Sequence, residues 1–292
     1  MLECFLTSID KELWNQFCGN VSKNFWVKYL EKRRSSMEEK WIDFEDEIRR
    51  FLLLVYDNQQ RVKGDKVTYS REDDEDVIAF YDTYNCLNKN YGYVYTKIKD
   101  HLDKLLKGFE IYLDVYINNC EIIPKAYFNN KKIDHVLSFN YTVTYTERYN
   151  ADVDCCYIHG RANLKSKKNN MVLGFDNQFF KTEDIVPELI PFEKFYQRVV
   201  MRTDNQYLDW LEEIEYTGIH NVYIYGHSLG VTDGDVLKKF LLAKNAKVHI
   251  YYYDEKDRAE KIKNMVLVIG ADNVIKYTGG KNPKIVFETD ER

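Results

Sequence analysis

Long apolar runs, prolines and glycines are all scarce in this chain of 292 residues. No apolar run reaches the roughly 18 residues that a membrane-spanning helix needs, so we expect no membrane partner. The 4 prolines and 13 glycines leave no room for a long flexible linker. The first residues include Glu3 and no basic segment, which excludes a signal peptide and favours a cytoplasmic protein.

A surplus of positive charge is missing as well. Lysine and arginine total 42 against 47 acidic residues, for a formal net charge of −5. Proteins that bind nucleic acid usually carry a basic surplus, so we expect no nucleic-acid partner. The 6 cysteines form no C-x-x-C pair and none lies near a histidine at zinc-finger spacing. We therefore predict no metal and expect free thiols in a reducing compartment.

The chain has enough apolar residues, 45%, to form a core, and its sequence pattern changes at about residue 132. Residues 8–120 are predicted to be helical, because apolar side chains recur every three or four positions, most clearly from Leu102 to Tyr116. After Ile133, short β-rich runs alternate with helical runs. We predict a helical subdomain at 1–132 and an α/β domain at 133–292.

The second part is predicted to alternate strands with helices. The predicted helices are 143–149, 187–200, 205–216, 235–243 and 255–266. The predicted strands are 135–139, 155–160, 171–176, 221–226, 247–254 and 273–278. Such alternation is typical of a Rossmann-like, doubly wound and mostly parallel sheet. Ligands of these sheets bind where the strands end, so we examined the residues that follow each strand.

Two of these strands are followed by a side chain that could take part in binding or catalysis. Asn140 follows the strand at 135–139, and its amide can donate and accept a hydrogen bond to a ribose or a water molecule. The alternative is that Asn140 caps the next helix. His159 and Gly160 end the strand at 155–160. An imidazole there can take a proton from a sugar hydroxyl, and the alternative is a structural histidine.

A third strand end has the richest set of polar residues. Gly226, His227 and Ser228 follow the strand at 221–226, and Asp233 and Asp235 precede a helix. Glycine allows close approach of a ligand to the backbone, serine and the carboxylates can bond hydroxyl groups, and the helix start favours anions. The alternative for Asp233 is a plain helix cap.

The same segment, GHSLG at 226–230, satisfies the G-x-S-x-G pattern of α/β-hydrolases. In those enzymes the serine leads straight into a helix, whereas residues 230–233 intervene here. Their catalytic histidine follows an acid later in the chain. The only histidine after Ser228 is His249, which lies inside a predicted strand. A serine hydrolase that uses Ser228 is therefore the least favoured reading.

Six segments in chain order carry a resemblance to a known family. They are WIDFE at 41–45, SFNYT at 138–142, IHG at 158–160, LGFD at 173–176, GHSL at 226–229 followed by Asp233 and Asp235, and HIYY at 249–252. Together they resemble the AbiH-type phage abortive-infection family of bacteria. That family in turn is distantly similar to sirtuin-like domains, which bind NAD.

The resemblance implies roles for the strand-end residues. Asn140 would position a water molecule or the ribose, and His159 would act as general base in cleaving the bond between nicotinamide and ribose in NAD. Gly226, His227 and Ser228 would line the pocket of the adenosine ribose, with Asp233 and Asp235 nearby. One departure is Thr142, which stands where sirtuins have an aspartate.

A second departure concerns the start of the chain. Members of the family usually begin with a strand and a G-N-G-F-D motif that approaches the dinucleotide phosphates, and this motif is missing before Trp41. We expect the chain to start about 25 residues late, from a wrong start site or in a degenerate gene. The alternative is that the resemblance misleads and another segment supplies that strand. The resemblance thus leaves two functions open. One is a phage-defence enzyme that hydrolyses NAD, and the other is a non-catalytic nucleotide sensor. A phage protein as trigger or a homo-oligomer is the expected partner.

Overall fold

The computed structural model describes residues 9–36, 43–63, 74–84, 86, 90–121, 131–166, 168–175 and 186–289. These residues form two compact units. The first unit comprises the described residues up to 121 together with 138–175 and 186–204, and the second unit comprises 131–137 and 205–289. The units follow packing rather than chain order. The predicted domains, 1–132 and 133–292, stay a prediction.

Helices make up most of the described part of the first unit. They are α1 (Lys11–Val21), α2 (Phe25–Ser36), α3 (Phe44–Lys63), α4 (Asp74–Thr83), α5 (Tyr91–Val115), the short α6 (Thr144–Arg148) and α7 (Lys194–Met201), with 3-10 turns at Ile117–Asn119 and Ile190–Phe192. The helical pattern predicted for 8–120 is confirmed where the chain is described. Leu102, Leu106 and Leu113 are buried along α5, as their spacing predicts.

The second unit is built around a three-stranded parallel sheet. Its elements are α8 (Tyr207–Tyr216), β3 (His220–Ile224), a 3-10 turn (Val231–Asp233), α9 (Gly234–Leu242), β4 (Ala246–Tyr252), α10 (Glu255–Ile269), α11 (Ala271–Thr278) and β5 (Ile285–Thr289). The strands lie in the order β3-β4-β5, with Ile224 opposite Ile250 and Ile250 opposite Phe287. Helices α9 and α10 pack on β4, where Val248 and Ile250 are fully buried.

A second sheet has two strands, β1 (His135–Ser138) and β2 (Asp154–Tyr157). The fold is therefore mixed α/β with parallel strands, as predicted. Sheets of two and three strands do not confirm the finer prediction of a Rossmann-like, doubly wound sheet. None of the helices in the described ranges is both long and apolar enough to cross a membrane.

Two predicted strands are wrong. Residues 273–278 lie in helix α11, with Val274 buried and Ile275 71% exposed, and the third strand of the sheet is β5 at Ile285–Thr289. Residues 171–175 form no regular strand, and position 176 lies outside the described residues. The backbone groups of 171–175 form hydrogen bonds with residues outside regular strands. Val172 N–H, for example, donates to the carbonyl of His159 (2.9 Å).

Polar and aromatic side chains cluster on the sheet face that carries Tyr223. The rings of Tyr223 and His249 stack at 5.0 Å between centroids. His249 Nδ1 lies 2.5 Å from Glu288 Oε1 and its Nε2 lies 3.2 Å from Asn221 Oδ1, while Tyr251 Oη donates to Glu288 Oε2. One carboxylate on β5 thus bonds two side chains of β4.

This carboxylate has a shifted pKa. Burial raises the pKa of Glu288, but the hydrogen bonds from Tyr251 and His249, together with the charges of His249 and Lys131, lower it by more, so that it lies below the usual value for glutamate. A carboxylate whose pKa is lower in the folded than in the unfolded state stabilises the fold at neutral pH. That contribution is lost as the pH falls through the folded-state pKa.

We expect Glu288→Gln to lower the free energy of unfolding at pH 7 by about 1 kcal/mol, because two hydrogen bonds to a charged group are weakened. The loss should begin to shrink near about pH 4, where glutamate is protonated in the unfolded chain, and should vanish below the lower folded-state pKa of Glu288. Urea unfolding at neutral and acidic pH measures both effects.

The matched control for this prediction is Glu260→Gln on α10. Glu260 is exposed and pairs with the exposed Lys263 at 3.0 Å, so its loss should cost little at any pH. A loss in Glu288→Gln that is the same at every pH would contradict the assigned role of the charge.

Candidate functional site

The seven residues predicted from the sequence as site residues fall into the two units. Asn140 and His159 belong to the first unit, and the set from Gly226 to Asp235 belongs to the second. Among the described residues, no group of three or more His, Cys, Asp or Glu side chains could bind a metal ion.

The segment 226–235, named here the strand-end turn, leaves β3 at its carboxyl end. Gly226 has a φ of +66°, a conformation that favours glycine, and it is exposed. A Cβ atom added to Gly226 would meet nothing within 4 Å. The backbone at this point is therefore open to a ligand.

Side chains of the strand-end turn bond its own backbone. Leu229 N–H donates to His227 Nδ1 (2.9 Å), and Gly230 N–H donates to Ser228 Oγ (3.2 Å). Leu229 also has a positive φ of 58°, and its side chain is fully buried. A non-glycine residue with a left-handed backbone and a buried side chain indicates that the surrounding structure fixes the shape of the turn.

Helix α10 bonds the same turn from the other side. Lys261 Nζ donates to the carbonyl of His227 (2.8 Å), and Asn264 Nδ2 donates to the carbonyl of Ser228 (2.9 Å). Lys261 is only 3% exposed and also pairs with Asp257 (3.1 Å). Lys261 and Asn264 are not among the residues predicted from the sequence. Their spacing of three on a helix is a weak signal, because it is common on any helix.

The start of α9 carries acids that change what the turn can bind. Because His227 Nδ1 accepts a hydrogen bond, the neutral ring carries its proton on Nε2, which lies 3.4 Å from Asp233 Oδ2. Asp233 is the N-cap residue of α9, yet its side chain makes no capping bond to the helix. Asp233 thus occupies the cap position predicted by the alternative, but its carboxylate does not act as a cap.

The turn therefore offers acceptors rather than an anion site. Two of its N–H groups, those of Leu229 and Gly230, are already used by side chains. Asp233 and Asp235 add carboxylates at the helix start, where they oppose the binding of phosphate. Carboxylate and serine oxygens can instead accept hydrogen bonds from hydroxyl groups such as those of a ribose.

In the first unit, Asn140 and His159 follow adjoining segments. Ile158 N–H donates to the carbonyl of Ser138 (3.2 Å), and the ring of Phe139 meets the ring of His159 edge to face at 5.7 Å. Asn140 is exposed. It does not cap the following helix, since the N-cap position of α6 is Val143, so the capping alternative is wrong.

His159 is 3% exposed and is followed by a glycine in a left-handed conformation. Gly160 has a φ of +73°, and a Cβ atom there would lie 2.1 Å from the carbonyl oxygen of Asn170. The IHG segment thus depends on glycine for close packing. A role of His159 as general base stays a prediction, and any substrate would have to reach a buried ring.

Other motif residues of the first unit also serve packing. Glu45 pairs with Lys194, which is 2% exposed, at 2.7 Å. A Cβ atom on Gly174 would lie 2.1 Å from the carbonyl oxygen of Phe192. Gln197 bonds both backbone groups of Leu173, at 3.1 and 2.9 Å. Three motif residues, Trp41, Ile42 and Asp176, lie outside the described residues.

We expect Gly160→Ala to lower the free energy of unfolding by about 3 kcal/mol. A left-handed φ costs about 1–2 kcal/mol for alanine, and overpacking adds about 1–3 kcal/mol. Gly218→Ala is the matched control, because a Cβ atom there meets nothing within 4 Å and φ lies outside the left-handed region. Urea unfolding of both variants tests this, and equal stabilities would contradict the close approach.

Comparison with known families explains why these segments occur together. Residues 6–254 match the family model described as bacteriophage abortive infection AbiH. All six segments that carry the resemblance lie within that range. No curated protein and no solved structure matches the chain. Because the family match covers most of its length, the chain belongs to the AbiH family of bacteriophage abortive infection proteins.

Proposed function

We propose that the second unit of this abortive-infection protein binds a nucleotide at the carboxyl ends of its parallel strands. The observation that carries the proposal is the strand-end turn. It combines an open, left-handed Gly226 with the acceptor oxygens of Ser228, Asp233 and Asp235. In parallel α/β sheets, ligands bind at this edge.

The ribose is the part of the nucleotide that the turn would contact. Acceptor oxygens bind the 2′ and 3′ hydroxyl groups, as an acidic residue does in many dinucleotide-binding proteins. The turn has carboxylates where a phosphate site would need free N–H groups. The phosphates would therefore lie away from the strand-end turn. NAD, which the sirtuin-like resemblance implies, has two riboses and is the first ligand to test.

Isothermal titration calorimetry with NAD, ADP-ribose and AMP tests this proposal. We expect Gly226→Asn to weaken binding at least tenfold, since the new side chain fills the open space above the turn. Asparagine tolerates a left-handed backbone, so the fold should persist. Gly280→Asn is the matched control. Gly280 has a φ of +84° and open space, but it precedes β5 at the amino end of the sheet.

Two results would overturn the proposal. One is the absence of heat with every adenine nucleotide at protein concentrations of about 100 µM. The other is equal binding by wild type and Gly226→Asn. Melting temperatures of both variants distinguish a lost site from a lost fold.

Cleavage of NAD is the second candidate function. It is favoured by the exposed Asn140 next to the segment that carries His159. In the reaction, water attacks the ribose carbon, the bond to nicotinamide breaks, and nicotinamide leaves with the electron pair. The Asn140 amide would orient the water and the His159 imidazole would take its proton. The products are nicotinamide, ADP-ribose and a proton.

Release of free nicotinamide, measured by chromatography, tests this second function. General base catalysis contributes about 10²–10⁴ to a rate, so His159→Gln should reduce turnover by at least about 100-fold. Asn140→Ala should also reduce turnover, whereas Asn205→Ala, another exposed asparagine, should not. Unchanged turnover in His159→Gln would contradict its role. Binding without any cleavage would leave a sensor, with a phage protein as the expected trigger.

The hydrolase alternative loses support from the geometry. His249, the only histidine after Ser228, bonds Glu288 and Asn221 on the sheet. His227 uses Nδ1 for Leu229 N–H and directs Nε2 toward Asp233. Neither ring is therefore available as a general base for Ser228.

A further inference from the structure

A groove of about 800 Å³ lies between α8 and α9 in the second unit, and Asp235, at one end, is its one lining residue that the predicted functions use. Its apolar lining includes Leu208, which is 42% exposed, and Tyr216, which is 79% exposed. Leu211 and Leu242 also line it. Side chains of this size expose apolar area that favours burial by a partner.

The two sides of this helix groove carry opposite charges. The α8 side contributes Glu212 and Glu215, and the α9 side contributes Lys238 and Lys239. All four side chains are exposed, and within the described part of the chain none of them forms an ion pair. Lys239 lies over the ring of Tyr207 at 5.9 Å.

The remaining charges on these helices keep the same contrast. Helix α8 also carries Asp209 and Glu213 and has no basic residue, with Glu213 lying 3.9 Å from His135. Helix α9 also carries Asp235 in its first turn, at one end of the groove. All charged residues of α8 are thus acidic, while the solvent-facing charged residues in the middle of α9 are basic.

We infer that the helix groove is the interface of a homodimer with two-fold symmetry. A surface with an acidic and a basic side is complementary to itself when a two-fold axis runs along the groove. That axis places α8 of one copy against α9 of the other, so that each pair of glutamates meets a pair of lysines. An axis across the groove would instead stack α8 on α8 and bring acids together.

The size of the surface sets the expected strength. Helices of 10 and 9 residues are about 15 Å long and about 10 Å wide, so the face measures about 300 Å². A stable interface usually buries about 800 Å² on each partner. We therefore expect a weak dimer that forms and dissociates with concentration.

Charge reversal on one side at a time tests the inference by sedimentation equilibrium. One variant carries Lys238→Glu and Lys239→Glu, and a second carries Glu212→Lys and Glu215→Lys. Each alone should be monomeric at concentrations where the wild type is dimeric, because like charges then face each other. Mixed together, the two variants should form heterodimers, since both α8–α9 contacts regain opposite charges.

A matched control is Lys256→Glu with Lys263→Glu on α10. Both lysines are exposed, and the change in net charge equals that of the first variant. This control should dimerise like the wild type. Leu208→Ser should weaken the dimer at least tenfold without a change in charge, which tests the apolar part of the contact.

Three results would overturn the inference. The first is a wild-type chain that stays monomeric up to about 300 µM. The second is a dimer that the charge-reversed variants form equally well, which would locate the interface elsewhere. The third is a mixture of the two variants that stays monomeric. Helical content and melting temperature of each variant exclude loss of the fold as the cause.

Discussion

Strand β4 is the element on which the second unit depends. It is hydrogen-bonded to β3 on one side and to β5 on the other, and its inward side chains Val248 and Ile250 are fully buried under helices. Because all three strands are parallel, their carboxyl ends lie at one edge of the sheet, and each connection returns from that edge to the amino end of the next strand. The strand-end turn after β3 is therefore at the edge where ligands bind in such sheets.

Close backbone packing has a comparable role in the first unit. Gly160 and Gly174 each lie so near a neighbouring carbonyl that a side chain would not fit, and Gln197 replaces strand pairing for Leu173. Short motifs that contain a histidine or an aspartate can thus be required for packing as much as for chemistry. The family segments of this unit combine both roles, with exposed Asn140 next to buried His159.

Strong periodic patterns predicted the fold well. Helix α5 and strands β1, β3 and β4 occur where apolar spacing indicated them. The strand predicted at 273–278 was wrong. The β-branched residues of NVIKYT favoured a strand, but in the structure the segment is a helix that buries Val274. The strand predicted at 171–176 was wrong because the backbone groups of 171–175 bond to segments outside any regular sheet. Lys261 and Asn264 could not be found, since a side chain that bonds a carbonyl far along the chain leaves no local pattern.

The residues that hydrogen-bond the strand-end turn include some that follow the range of the family match. That match ends at residue 254, whereas Lys261 and Asn264 follow on α10 and Glu288 follows on β5. The carbonyl of His227 is part-buried and that of Ser228 is exposed, and each accepts a hydrogen bond from a side chain of α10. The GHSL motif is therefore only half of the local structure. The other half is a lysine and an asparagine on the helix after β4.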